Sequence, residues 1–266
     1  MKNILIISLL CLIGCKKPIK QWQFEKELKL NNVYPIGGAI LNDEIWLADG
    51  DGNRLVKIDD NGAVIDEVRG LERPMHIDAF GNTLLVPEYG KDVISTYTNK
   101  VRDSIKGLPE LDAPAGVFKY KKELAIADFY NSVVHYYDGV NWLKIGKKGK
   151  ELGEFNYPTD VQITSEHIYV ADAYNHRVQV FNKNGKFKKV IALNEGINAA
   201  TGLLVFEKNI FITDFENNRV LIFSKDGELH QVIASELTKP TDVLIYKKKL
   251  YVLNFKSSSI SVFVKN

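Results

Sequence analysis

The feature that most constrains this chain is a pair of residues held at one interval and repeated six times. Pro35 is followed by Asp49, Pro74 by Glu88, Pro114 by Asp128, Pro158 by Asp172, Ala200 by Asp214 and Pro240 by Asn254, in each case 14 residues later. The steps between successive first anchors are 39, 40, 44, 42 and 40 residues, so length varies outside the anchored stretch and never inside it. The fourth copy, Gly153 to Gly185, reads GEFNYPTDVQITSEHIYVADAYNHRVQVFNKNG. Val161 and Ile163, Ile168 and Val170, then Val178 and Val180 place apolar residues on alternate positions, the period of half-buried strands. Turns fall at Ser165–Glu166 and Ala173–His176, and a fourth strand is expected over Phe187–Ala192.

A four-stranded meander cannot bury both of its faces alone, and a period near 40 with four strands per unit predicts an all-β, six-bladed β-propeller. The sixth copy finishes at Ile260–Val264, its third strand. Trp22, Phe24, Leu28 and Leu30 alternate with Gln23, Glu25 and Lys29 ahead of the first copy, which predicts the missing outer strand of the last blade. Residues 22–266 therefore read as one propeller domain of antiparallel blades.

The N-terminus has a different character. Lys2 precedes an apolar run, Ile4–Ile13, of ten residues, too short for a helix of about 20 residues to span a bilayer. It ends Leu12, Ile13, Gly14, Cys15, which resembles the lipobox of bacterial lipoproteins. That resemblance implies removal of residues 1–14, lipidation of Cys15 and a tether over 15–21. It also implies a lipid-anchored place in the cell envelope, with the outer membrane favoured by the absence of Asp after the cysteine. Cys11 leaves with the leader, so no intramolecular disulfide is expected. The formal net charge of +2 gives no electrostatic reason for a nucleic-acid partner.

Ile168–Asp172 (IYVAD) and Asn175–Phe181 (NHRVQVF), with Pro158 ahead of them, resemble the NHL repeat. Thr213–Phe223 (TDFENNRVLIF) and Ala48–Ile58 (ADGDGNRLVKI) keep the pattern. Copy two departs from it at Pro87 and Glu88, copy three at Val133, and copy six at Asn254 and Ser259. The related YWTD propellers match less well.

In such a ring the loops entering the inner strands and those joining strands two and three share one face. That face is expected to receive the residues two after each first anchor, Gly37, His76, Gly116, Asp160, Gly202 and Asp242. It also receives the aromatics after the second anchors, Tyr89, Phe129, Tyr130, Tyr174, Phe215 and Phe255, with Arg73 nearby. So many aromatics at loop tips predict a surface that holds a peptide, glycan or protein through large rigid contacts. The second-anchor acids are read as bonding to backbone N–H groups in the adjoining turn. His76, Asp160 and Asp242, alternating with the three glycines, form the alternative: a divalent-metal site of a hydrolase or lyase at the channel mouth.

Related metal-dependent propellers are the peptidyl-hydroxyglycine amidating lyases and the gluconolactonase-like hydrolases. The lyases place histidines beside the inner-strand prolines, where this chain has Ile36, Met75, Ala115, Thr159, Thr201 and Thr241. No nucleophile elbow occurs, and no cofactor is expected. The lysine pairs at 121–122 and 147–148 and the run 247–249 read as solvated turns.

Overall fold

The computed structural model describes residues 20–99 and 101–265. The expected leader, Cys15 and most of the expected tether lie outside the described residues. The described chain forms six four-stranded antiparallel sheets arranged in chain order. Blade four shows the plan: Pro158–Ile163 innermost, then His167–Asp172, Arg177–Asn182 and Phe187–Ile191. Each first anchor pairs with its second across the two inner strands, as in Pro158 opposite Asp172, which is why the interval between them never varies.

The sixth sheet runs Trp22–Lys29, Ser259–Lys265, Lys249–Asn254, Pro240–Tyr246, so the first strand of the chain closes the last blade. The register extends from Trp22 opposite Lys265 to Lys29 opposite Ser259. A bulge between Phe24 and Lys26 breaks the simple alternation expected for this strand. Leu28 and Leu30 are buried between blades six and one, whereas Phe24 stands half in solvent against the edge of Phe263.

Six apolar clusters fill the six blade boundaries. Tyr136 and Ile145 of blade three pack on Val161, Ile163 and Val170 of blade four, and the other boundaries repeat the arrangement. Burying each such side chain stabilises the ring by about 1.5–3 kcal/mol, so no blade can leave without exposing two clusters.

Two polar ties fix the loops between blades. The first is the second anchor. Asp172 is fully buried and accepts the N–H of Asn156 in the loop entering its own blade (2.7 Å), Arg177 Nε (2.8 Å), Asn175 Nδ2 (2.9 Å) and Gln179 Nε2 (3.0 Å). Asp128, Asp214 and Asn254 accept the corresponding N–H groups of Asp112, Asn198 and Thr238. The expected partners in the following turn are therefore replaced, in most blades, by the loop that enters the same blade. Asp49 uses both, bonding Tyr34 N–H and Gly52 N–H.

The second tie joins neighbouring blades. Asn53, Asp92, Ser132, His176 and Asn218, each four residues after a second anchor, adopt left-handed backbone. Each accepts, through its side chain, the N–H of the residue before the next first anchor: Arg73, Ala113, Tyr157, Ala199 and Lys239. Asn, Asp and His tolerate this conformation better than branched residues, and their side chains supply the acceptor. His176 is thus the turn residue that the sequence indicated, with Nδ1 as an unprotonated acceptor at 3.1 Å.

Deleting residues up to Leu30 is expected to lower the unfolding temperature of the whole ring by at least 5 °C, because it opens an edge and strips one cluster; unchanged melting of the truncated chain would refute the role given to closure. Asp172→Ala should cost about 3 kcal/mol in urea unfolding, since Arg177 and a loop N–H lose a buried partner. Asp172→Asn should cost less, because an amide oxygen still accepts the loop N–H as Asn254 does in blade six, but should not be neutral, because Arg177 loses its counter-charge. Equal losses in the two variants would count against the tie.

Candidate functional site

The channel wall is built from the inner strands of the six blades and, in blade two, the residues just ahead of its inner strand. In five blades the ladder slips by a residue just after the first anchor, between Pro35 and Gly37, Pro114 and Gly116, Pro158 and Asp160, Ala200 and Leu203, and Pro240 and Asp242. A bulge re-aims the side chains beside it. The Thr159, Thr201 and Thr241 hydroxyls reach carbonyls of the next blade, Thr201, Pro240 and Pro35 respectively. Blade two has a shortened inner strand, Asp78–Phe80, and there the backbone itself crosses the boundary: His76 N–H donates to Ala115 at 2.9 Å.

The residue two after each first anchor faces the axis. Three are glycines because there is no room for more: a Cβ on Gly37 would stand 2.5 Å from the His76 Cα, one on Gly116 2.9 Å from the Asp160 Cα, and one on Gly202 3.0 Å from the Asp242 Cα. The glycines let alternate blades press their partners inward. His76, Asp160 and Asp242 consequently meet, with one ligand atom from each lying within 4.8 Å of the others. All three are buried, so they sit inside the channel and not on its rim, deeper than the sequence implied.

Each carboxylate is held by two backbone donors. Asp160 accepts Val161 and Leu203 N–H at 2.7 and 2.8 Å, and Asp242 accepts Val243 and Gly38 N–H at 2.8 and 2.9 Å. Burial pushes the Asp160 carboxyl up to about 7, with His76 pulling it down and Asp242 pushing it further. Burial also lifts Asp78, alongside, to about 7. For His76 burial acts downward, but Asp242 and Asp160 outweigh it and hold the imidazole above its usual value. His76 Nδ1 is 3.8 Å from Asp242 Oδ2, too far for a hydrogen bond, and has no other partner. A cavity of about 170 Å³ adjoins the trio and runs along the channel towards the turns joining strands one and two.

The second candidate region is the aromatic face. Tyr89, Phe129, Tyr130 and Tyr174 come together across blades two, three and four, with neighbouring ring centroids 5.2–6.2 Å apart. Arg73 lies over Tyr89 at 5.2 Å. Tyr157 completes the group, stacked on Phe129 at 4.7 Å and edge-on to Tyr174 at 5.1 Å, with Lys148 over it at 5.4 Å. Tyr157 was missed in the sequence because it precedes its proline; the matching positions of Tyr34 and Arg73, also just before first anchors, were the available signal. Tyr130 and Tyr174 are 50% and 57% exposed, and the remaining three rings are half-buried beneath them.

Three of the eight residues expected on this surface stand apart from the patch. His76 belongs to the channel. Phe215 pairs with Lys239 at 5.1 Å, and Phe255 with Tyr34 at 6.0 Å, further round the ring. The second-anchor acids do not converge either, since each is engaged within its own blade. Lys121–Lys122 and Lys247–Lys248 make the turns between strands one and two, at the opposite end of the inner strands, while Lys249 begins a strand and pairs with Glu25.

Residues 155–181 match the NHL repeat. The mouse (Mus musculus) E3 ubiquitin-protein ligase TRIM32 is 40% identical over 57 residues, a stretch that is 21% of this chain and only 9% of that protein. Among solved structures, a gluconolactonase from Xanthomonas campestris superposes with a TM-score of 0.75 at 12% identity, covering 95% of this chain and 96% of its own. A virginiamycin B lyase from Staphylococcus aureus superposes at 0.66 and 11% identity, covering 92% and 99%. At such identities the structural likeness speaks for the fold alone. The chain is a six-bladed β-propeller whose fourth blade carries an NHL repeat.

Proposed function

We propose that this chain is a lipid-anchored binding module of the bacterial cell envelope, and that it captures a protein or peptide segment on the aromatic patch of blades two to four. The observation that carries the reading is the contiguous group of five rings, flanked by Arg73 and Lys148, on one face of a rigid ring. Tyrosines supply large contact area with little rotamer entropy to lose, and the cations at either end suit a segment bearing acidic residues. The NHL match supports the same reading, because repeats of this kind are expected to present such a face to partners. A glycan would also stack on exposed tyrosines and is the competing ligand for the same patch.

The anchor is Cys15. Each buried methylene contributes about 0.8 kcal/mol, so two or three acyl chains hold a protein at a bilayer surface where one would not. The second reading, a metal-dependent hydrolase or lyase, is favoured by one observation, the meeting of His76, Asp160 and Asp242.

Cys15→Ala should move the protein from the membrane to the soluble fraction and abolish acyl labelling; a variant that stays membrane-bound and labelled would exclude the anchor. Joint replacement of Tyr89, Tyr130 and Tyr174 by Ala should weaken capture of the protein partner from envelope extract by about 30-fold, corresponding to the loss of one hot spot of about 2 kcal/mol. Melting temperature should change little, and alanines at Lys121, Lys122, Lys247 and Lys248 should leave capture intact. Capture that survives the tyrosine changes and fails with the lysine changes would place the binding surface on the other face. Capture abolished by glycan-degrading enzymes would replace the protein ligand with a glycan.

A further inference from the structure

We propose that His76, Asp160 and Asp242 form a binding site for a single divalent first-row cation of the Mn²⁺ or Zn²⁺ class, buried within the propeller channel. This proposal is independent of the aromatic patch, none of whose rings lines the cavity beside the trio.

Geometry is the first argument. The three donor atoms lie within 4.8 Å of one another. Donors at 2.0–2.2 Å from one ion stand up to about 4.3 Å apart, so small rotations about χ1 and χ2 bring all three to bonding distance. The second argument is the orphaned imidazole nitrogen. His76 is 4% exposed, its Nδ1 has no hydrogen-bond partner, and Asp242 Oδ2 stands 3.8 Å away. A buried ring nitrogen left so costs stability unless something else occupies its lone pair. A metal does this.

The third argument is how the carboxylates are held. The N–H groups of Val161 and Leu203 orient Asp160, and those of Val243 and Gly38 orient Asp242, leaving one lone pair on each oxygen free. Outer contacts of this kind fix ligand direction at metal centres. Charge is the fourth. Asp78, Asp160 and Asp242 all line the cavity, while no Lys or Arg side chain does, among the described residues. A cation of charge +2 balances the two ligating carboxylates with His76 neutral.

One nitrogen and two oxygen donors suit Mn²⁺ or Zn²⁺ better than Ca²⁺, which takes six to eight oxygens. The cavity gives the ion room for water in its remaining positions, open to the side of the turns between strands one and two. Because the donors come from blades two, four and six, the ion would tie alternate blades together at the axis.

The full mature chain, stripped with chelator and dialysed against Zn²⁺ or Mn²⁺, should retain one ion per chain by elemental analysis, with melting raised by several degrees at saturation. The Mn²⁺-loaded form should show coupling to a single histidine nitrogen by pulsed electron paramagnetic resonance. His76→Gln and Asp242→Asn should each weaken binding by about 100-fold or more and remove the thermal shift. No uptake by the stripped wild-type chain at millimolar Zn²⁺ or Mn²⁺ would overturn the proposal. So would uptake without a histidine nitrogen signal, a result that needs no variant to fold. Unchanged affinity in both folded variants would overturn it equally.

Discussion

Everything in this structure follows from one constraint: a twisted sheet of four strands has two apolar faces and can cover neither by itself. Each blade is stable only between two others, and a row of blades is stable only when its ends meet. Here they meet through backbone hydrogen bonds between Trp22–Lys29 and Ser259–Lys265, with Leu28 and Leu30 filling the last boundary. The closing strand removes two liabilities together, an open edge and an uncovered face. With balanced charge and no expected disulfide, nonpolar burial at six boundaries carries the fold, and the polar ties decide how the loops sit.

Those ties explain what the repeated residues do. The acid or amide at the second anchor gathers its entering loop, and the residue four places on fastens the next blade's loop. A buried Asp–Arg pair such as Asp172–Arg177 is costly to desolvate, and its value here is positional: it sets where a loop leaves the ring. Loops fixed in this way carry Tyr89, Tyr130, Tyr157 and Tyr174 on rigid supports, so the patch is preorganised. At the axis the same backbone position is filled by glycine in three blades and by His76, Asp160 or Asp242 in the others, which turns a sixfold frame into a threefold site.

The ring was legible in the sequence because the hairpin between anchors has one length, and cross-strand pairing of Pro158 with Asp172 leaves no freedom to change it. The closing strand was legible from a missing partner, although its bulge was not, since a slip of one residue leaves no mark on composition. The meeting of His76 with two aspartates could be read from their alternation with glycines. Their depth could not, because it depends on the bulges that turn those side chains inward. The aromatic face was half legible. Loop position told that Tyr89, Phe129, Tyr130 and Tyr174 share a face with Phe215 and Phe255, but not that the first four cluster with Tyr157 while the others pair elsewhere. Convergence at loop tips is set by the left-handed residues between blades, as at Tyr157, and these have no period in residue type.

The closing pair also has a temporal meaning. Trp22 pairs with Lys265, so the first and last strands of the propeller are joined across nearly its whole sequence. The strand that completes the ring is synthesised before the other strands of the propeller and must wait, unpaired, until Ser259–Lys265 emerges. Five blades can assemble in order behind it, but none of them supplies its partner. Non-local pairing of this kind makes for slow folding, and the waiting edge is the segment most open to mispairing with another nascent copy. Its charged residues, Glu25, Lys26, Glu27 and Lys29, guard against that fate while the chain is still incomplete.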